Sequence, residues 1–167
     1  YNAKDYAFAA GRFREFLAKY SNHKDAVSAH YGLALAILDG PDKDYNAAVA
    51  ELQPLAGAKD APDYPFYLYY LGLAERGQGV KFLAQAAAMP QQAQQLKDQA
   101  HGRFDEAAKQ FAAALAAFSA RVKPPAADAK DLPIDLEWAA RARCDLAEMR
   151  LRLLDPKGAR EAVEVFT

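Results

Sequence analysis

Apolar residues recur at intervals of three and four positions along nearly the whole chain, which is the spacing of one face of an α-helix. Strict alternation of apolar and polar residues over four or more positions, the mark of a half-buried β-strand, is hard to find. Glycines and prolines mostly fall between the periodic segments and mark turns. The pattern therefore predicts an all-α fold. The predicted helices span about residues 4–20, 25–38, 44–56, 64–76, 80–88, 91–121, 134–154 and 157 to the end.

Several of these segments share an internal repeat, in which an aromatic residue is followed by a small residue three positions on and a large apolar residue four positions later. The small residue lets a neighbouring helix approach closely, and the large one fills the space one turn away on the same face. The copies are DYAFAAGRFREF with Tyr6, Ala9 and Phe13, DYNAAVAELQPL with Tyr45, Ala48 and Leu52, RFDEAAKQFAAA with Phe104, Ala107 and Phe111, and a weaker GAREAVEVF with Ala159, Ala162 and Phe166.

Two segments that precede these copies also match each other. AHYGLAL places Tyr31 and Gly32 as YLGLAE places Leu71 and Gly72. A helix A with a large residue and then glycine, followed by a helix B with the repeat described above, resembles the tetratricopeptide repeat (TPR). The resemblance implies antiparallel helical hairpins that stack as a right-handed solenoid.

The repeat boundaries follow from this resemblance. The small residues of successive copies are spaced more widely than the regular TPR period of about 34 residues, so insertions must lengthen particular hairpins. In the second repeat the extra residues lie in the turn LDGPDKDY; in the third they run from Gly77 to about Gln99 and prolong both helices of the hairpin. We expect one domain over residues 1–167: helix B of a partial first repeat at 1–21, a second repeat at 22–57, an extended third at 62–122 and a partial fourth at 132–167.

The stretch YPFYLYYLG, residues 64–72, concentrates five aromatic side chains on a helix that Pro65 is suited to begin. The resemblance implies that Leu68, Leu71 and Gly72 pack on helix B of their own repeat. We expect Tyr67 and Tyr70 to pack with the preceding hairpin. The residues that the resemblance places in the concave groove are Ala29, Leu33, Ile37, Phe66, Tyr69, Leu73 and Arg76.

Such a groove would suit an apolar helix or an extended peptide, unlike the basic grooves that clamp a peptide carboxylate. In an alternative interpretation, the insertion after Gly77 or a neighbouring repeat covers these residues, and they belong to the core.

The charge balance, the hydropathy and the single cysteine argue against several kinds of partner and of covalent link. The 21 lysine and arginine residues balance 22 aspartate and glutamate residues, for a net charge of -1, so the chain lacks the basic footprint of a nucleic-acid or anionic-membrane binder. No apolar run of about 18 residues is present, and we expect no direct membrane insertion. Cys144 is the only cysteine, so it cannot form an internal disulfide, and its spacing from Ala140 and Ala147 predicts a small core residue.

Candidate chemistry is sparse. The three histidines, His23, His30 and His101, have no second ligand at zinc spacing, and the chain has neither a phosphate-binding glycine loop nor a hydrolase motif. We therefore expect no metal, no cofactor and no catalytic residue. His30 is expected to be a hydrogen-bonded packing residue, and His23 and His101 to lie at the surface. The acids of DGPDKD are explained by a helix end at Gly40 and an N-cap at Asp44.

Helix 134–154 carries a charged row and two apolar rows. The charged row is predicted to be a solvated stripe of opposite-sign pairs; it consists of Arg141, Asp145, Glu148 and Arg152. The apolar rows predict a helix packed on two sides; they are Trp138, Ala142, Leu146, Met149 and Leu153, and Ala140, Cys144, Ala147, Leu151 and Leu154.

The first functional hypothesis is a non-catalytic scaffold that binds a protein or peptide through the groove or through its open repeat ends, which further repeats or another subunit would cover. Two alternatives stay open: a helical accessory region of an enzyme whose catalytic domain lies elsewhere, and a lipid or cofactor carrier with a closed apolar cavity. The run FREFLAKYSNHKDAVSAHYGLA also resembles TPR regions of bacterial envelope proteins, which favours the cell envelope or periplasm over the cytoplasm.

Overall fold

Six α-helices make up the described part of the chain, residues 5–123 and 133–154 of the computed structural model, and no strand occurs there. The all-α prediction is thus confirmed. The helices are α1 Tyr6–Lys19, α2 Ala26–Asp39, α3 Tyr45–Leu52, α4 Tyr64–Ala88, α5 Ala93–Ser119 and α6 Ile134–Arg152, with short 3-10 helices at Gln53–Gly57 and Pro90–Gln92. The predicted helix from residue 157, with the fourth repeat copy, lies outside the described residues.

Short-range signals in the sequence set the helix ends. The side chain of Asp5 accepts a hydrogen bond from the Phe8 backbone N–H at 2.9 Å, and Asp44 accepts one from the Ala47 N–H at 3.1 Å. Each carboxylate thereby satisfies one of the N–H groups that the first helical turn leaves without a partner. The N-cap predicted at Asp44 is confirmed, and Gly40 ends α2 as predicted.

Each helix packs mainly on the next one along the chain, from α1 on α2 to α5 on α6. Two apolar cores result. The first joins α1, α2, α3 and one side of α4 around Leu33, Leu52 and Leu71. The second joins the other side of α4 to α5 and α6 around Leu68 and Phe111.

Helix α4 is continuous, which corrects the predicted break between helices 64–76 and 80–88. Glycine is tolerated inside a helix at roughly 1 kcal/mol relative to alanine, and here each glycine accepts an aromatic ring. A Cβ atom at Gly77 would collide with the ring of Tyr45, and one at Gly79 would lie 2.5 Å from Cε1 of Phe104. Gly77 and Gly79, which were predicted to separate two helices, are instead contact points for α3 and α5.

The prediction that the insertion lengthens both helices of the third hairpin is confirmed, since α4 has 25 residues and α5 has 27. Within α4, Leu68 and Gly72 contact α5 as predicted, but Leu71 lies in the first core. Adjacent residues point about 100° apart around a helix. Leu71 and Gly72 therefore pack on different sides of α4, Leu71 in the first core and Gly72 against α5.

Helix α6 buries one of its two apolar rows and only part of the other, in which Ala147 is buried. Ala142, Leu146 and Met149 lie in the second core, in contact with Trp138 and Leu153 as predicted. In the other row Cys144 is exposed, which corrects its predicted core position. The same row exposes Leu151 and Leu154, because α4 and α5 both lie on the opposite side of α6.

Candidate functional site

The predicted groove residues divide into buried and partly exposed ones. Ala29, Leu33 and Ile37 of α2 are buried, as is Tyr69 of α4. The partly exposed members are Phe66, Leu73 and Arg76. The structure does not bring all seven together on one open surface.

Trp138 of α6 covers the two aromatic groove candidates. Its ring centroid lies 5.0 Å from that of Phe66 and 5.1 Å from that of Tyr69, both edge to face. Phe118 and Phe111 of α5 contact the same two rings, at 5.0 Å and 5.6 Å respectively. Phe66 and Tyr69 therefore pack beneath α6.

Tyr67 and Tyr70 of the stretch face α2, as predicted. The ring centroid of Tyr31 lies 5.0 Å from that of Tyr67 and 5.9 Å from that of Tyr70. Burial raises the pKa of the Tyr67 and Tyr70 phenols above the usual value. The negative charge of Asp63 raises the pKa of Tyr67 further, and that of Asp39 raises the pKa of Tyr70 further.

A polar network joins α4 to α6 and corrects the predicted solvated stripe. The Tyr69 hydroxyl donates to Asp145 Oδ2 at 2.6 Å, and Arg76 Nη1 donates to Asp145 Oδ1 at 2.7 Å and to Glu148 Oε2 at 3.1 Å. Burial, and then the bond to Asp145, raise the pKa of Tyr69 well above the usual value. Along the helix, Arg152 pairs with Glu148 as predicted, whereas Arg141 pairs with Glu137, which lies outside the predicted stripe.

An open cleft of about 240 Å³ lies between the end of α2, the start of α3 and the middle of α4. It contains Leu73 and Arg76 from the predicted set. The other lining residues are Leu38, Asp39, Lys43, Tyr45, Tyr70, Gly77 and Val80. Sequence reasoning missed Val80, although its spacing of seven from Leu73 places both on one helix face.

The α2–α3 turn shapes one wall of this cleft. Lys43 adopts a left-handed backbone conformation with φ 41°, immediately before the cap at Asp44. Tyr45 follows, and its ring rests on Gly77 of α4. A residue other than glycine is uncommon at positive φ, and this conformation carries Lys43 to the cleft wall.

The predicted roles of the histidines agree with their surroundings. His30 Nδ1 lies 2.6 Å from Glu51 Oε2, which links α2 to α3, and His23 and His101 are exposed. Within residues 5–123 and 133–154, no group of three histidine, cysteine or acidic side chains is arranged to hold a metal ion. No helix in those ranges combines the length and apolar character that crossing a membrane requires.

Comparison with known proteins neither supports nor contradicts the TPR resemblance. No protein-family model matches this chain, and searches of curated proteins and of solved structures found no match either. Membership of the TPR family therefore stays a prediction that rests on the residue pattern.

Proposed function

We propose that this chain is a non-catalytic, TPR-like scaffold whose hairpins stack as a right-handed solenoid and bind a protein partner. The packing of each helix on its sequence neighbour supports a repeat array, since repeats in a solenoid contact mainly adjacent repeats.

Two close glycine–phenylalanine contacts support the packing of sequence-adjacent helices in this proposal. A Cβ atom at Gly32 would collide with the ring of Phe13, and one at Gly72 would lie 2.7 Å from Cε1 of Phe111. Both glycines occupy the position that the repeat pattern assigns to a close helix crossing. Both rings are the large residue of a repeat copy. The same pair of residue types thus forms a close helix crossing in two places, between the first and second repeats at Gly32 and within the third repeat at Gly72.

The cleft between α2, α3 and α4 is the binding site that the geometry favours. Leu73 and Val80 supply apolar surface, and Val80 is 45% exposed. Lys43 and Arg76 supply N–H donors, since an arginine that bonds carboxylates through one nitrogen retains other donors. An extended peptide with an apolar side chain would meet apolar surface in the cleft and donors for its carbonyl groups along the rim.

The test compares two substitutions one turn apart on α4. Val80→Glu places a carboxylate at the cleft, whereas Leu83→Glu changes a similarly exposed residue that does not line it. After circular dichroism shows that both variants keep the wild-type helix content, a photo-crosslinking residue at the exposed position 42, beside the cleft, identifies the bound protein. Affinity for that protein is then measured for the wild type and both variants.

We expect Val80→Glu to weaken binding about tenfold or more and Leu83→Glu to leave it unchanged. If both variants bind as the wild type does, the cleft is not the contact surface, and the repeat ends become the place to search. If both lose binding equally, the contact is the exposed face of α4 rather than the cleft.

A further inference from the structure

The register of α6 on α5, meaning its position along the helix axis, depends on the side chains that meet between the two helices. The α5 residues in the second core include Ala100, Ala107, Ala108 and Ala114, and the α6 residues that meet them include Ala139 and Ala142. Small, similar side chains specify position poorly, because a shift by one helical turn replaces one alanine with another. Among the apolar side chains, the larger ones, such as Trp138 and Met149, therefore contribute most to the axial position of α6.

The polar network adds directional contacts to this apolar packing. Arg76 on α4 faces Asp145 and Glu148 on α6, and Tyr69 donates to the same Asp145 carboxylate. These bonds have defined lengths and directions. A slip of α6 by one turn, about 5.4 Å, would break all of them.

The order of charges along α6 disfavours a slip of four residues in either direction. Arg141 precedes Asp145 by one turn, and Arg152 follows Glu148 by one turn. A slip of four residues in one direction would bring Arg141 to the place of Asp145, and a slip of four in the other would bring Arg152 to the place of Glu148. Either slip would put an arginine against Arg76, and like charges in a partly buried contact repel.

We propose that Arg76 sets the register of α6 on the α4–α5 hairpin through its contacts with the charges along α6. In chain order these charges are Arg141, Asp145, Glu148 and Arg152. Setting register is the best-attested role of interhelical polar groups: replacing a buried ion network with apolar side chains often leaves stability unchanged, whereas a single buried polar residue can fix the register of a coiled coil. This inference does not depend on the proposed binding function.

The chain carries its own reporter for the test. Cys144 is the only cysteine and is exposed on α6. Contacts between Trp138 and Phe118, and between Arg152 and Phe104, show that α6 runs antiparallel to α5. A second cysteine introduced as Lys97→Cys, at an exposed position near the start of α5, lies about 20 Å from Cys144 along the helix axis. Paired spin labels at these sites report the axial position of α6.

Removal of the charged network is the first measurement. The variant Tyr69→Phe, Arg76→Met and Asp145→Leu is compared with a control, Glu106→Gln and Lys109→Gln, that neutralises an exposed pair within α5. We expect one narrow distance distribution in the wild type and the control. The triple variant is expected to show a second population displaced by about 5 Å, one helical turn. A single unchanged distribution in a folded triple variant would overturn the proposal.

Charge reversal gives an independent test in case the triple variant does not fold. Arg76→Glu alone is expected to displace the distance, because the introduced carboxylate would repel both acids of α6 and attract an arginine. Adding Asp145→Arg should restore the native distance. If the single reversal leaves the distance unchanged, or if the double variant fails to restore it, register is not set by charge order.

Discussion

The close contact between Gly72 and Phe111 offers a sharp test of how α4 and α5 pack. A Cβ atom at Gly72 would lie 2.7 Å from Cε1 and 2.8 Å from Cδ1 of Phe111. The Phe111 side chain is fully buried and its ring centroid lies 5.6 Å from that of Tyr69, so the ring has no free space into which it can move. Gly72→Ala therefore forces the two helices apart.

The magnitude follows from two opposing effects. Alanine in a helix interior is favoured over glycine by roughly 1 kcal/mol, whereas inserting a methyl group into a packed core costs about 1 to 3 kcal/mol. Gly102→Ala in α5 is the matched control, because its Cβ atom would meet nothing within 4 Å. The helix-propensity gain is common to both variants. Their difference in unfolding free energy thus isolates the packing term, about 1 to 3 kcal/mol.

Urea unfolding followed by circular dichroism measures both variants under the same conditions. We expect Gly102→Ala to be more stable than the wild type by up to about 1 kcal/mol and Gly72→Ala to be less stable than Gly102→Ala. For a chain of this size, each kcal/mol corresponds to a shift in Tm of roughly 2 to 4 °C. If Gly72→Ala proves as stable as Gly102→Ala, the ring of Phe111 does not fill the space above Gly72, and α4 and α5 do not pack through this contact.

Three further predictions concern buried polar groups. Tyr69→Glu should unfold the chain, because it buries a carboxylate beside Asp145, whereas Tyr69→Phe should lower stability by only about 1 kcal/mol; equal urea midpoints would contradict this. Arg103→Met should cost about 1 to 3 kcal/mol because it leaves the buried Glu75 carboxylate without its 3.0 Å partner. Adding Glu75→Gln should recover part of that loss, and no recovery would argue against the pair. The raised pKa of Tyr69 keeps its phenol neutral in the folded state, so stability is complete below about pH 10 and falls at higher pH. Urea midpoints from about pH 8 to 11 should show a decline that is smaller in Tyr69→Phe, and identical declines would refute the assignment.

Local interactions explain why most helix positions could be predicted. The carboxylate caps at Asp5 and Asp44 bond to backbone groups only three residues away. The adjacent sequence is therefore enough to predict these caps. The break predicted at Gly77 failed for the opposite reason, because the Tyr45 ring that Gly77 accommodates belongs to another helix.

The candidate site depended on contacts that sequence spacing does not contain. Helical periodicity placed Phe66, Tyr69 and Leu73 on one face of α4, but it could not show that α6 covers the first two and leaves Leu73 in the cleft. It likewise predicted Asp145 to be solvated, because pairs along one helix are visible in sequence and a bond to Tyr69, 76 residues away, is not.

The sequence by itself determined the helical character of the chain, the caps, the repeated small-and-large pattern and the lengthening of the third hairpin, since all of these depend on residues within a few turns of each other. Only the tertiary structure decided which faces are covered, because burial depends on the approach of distant helices. That approach placed the aromatic stretch under Trp138, left Cys144 exposed and formed the cleft at Leu73 and Val80.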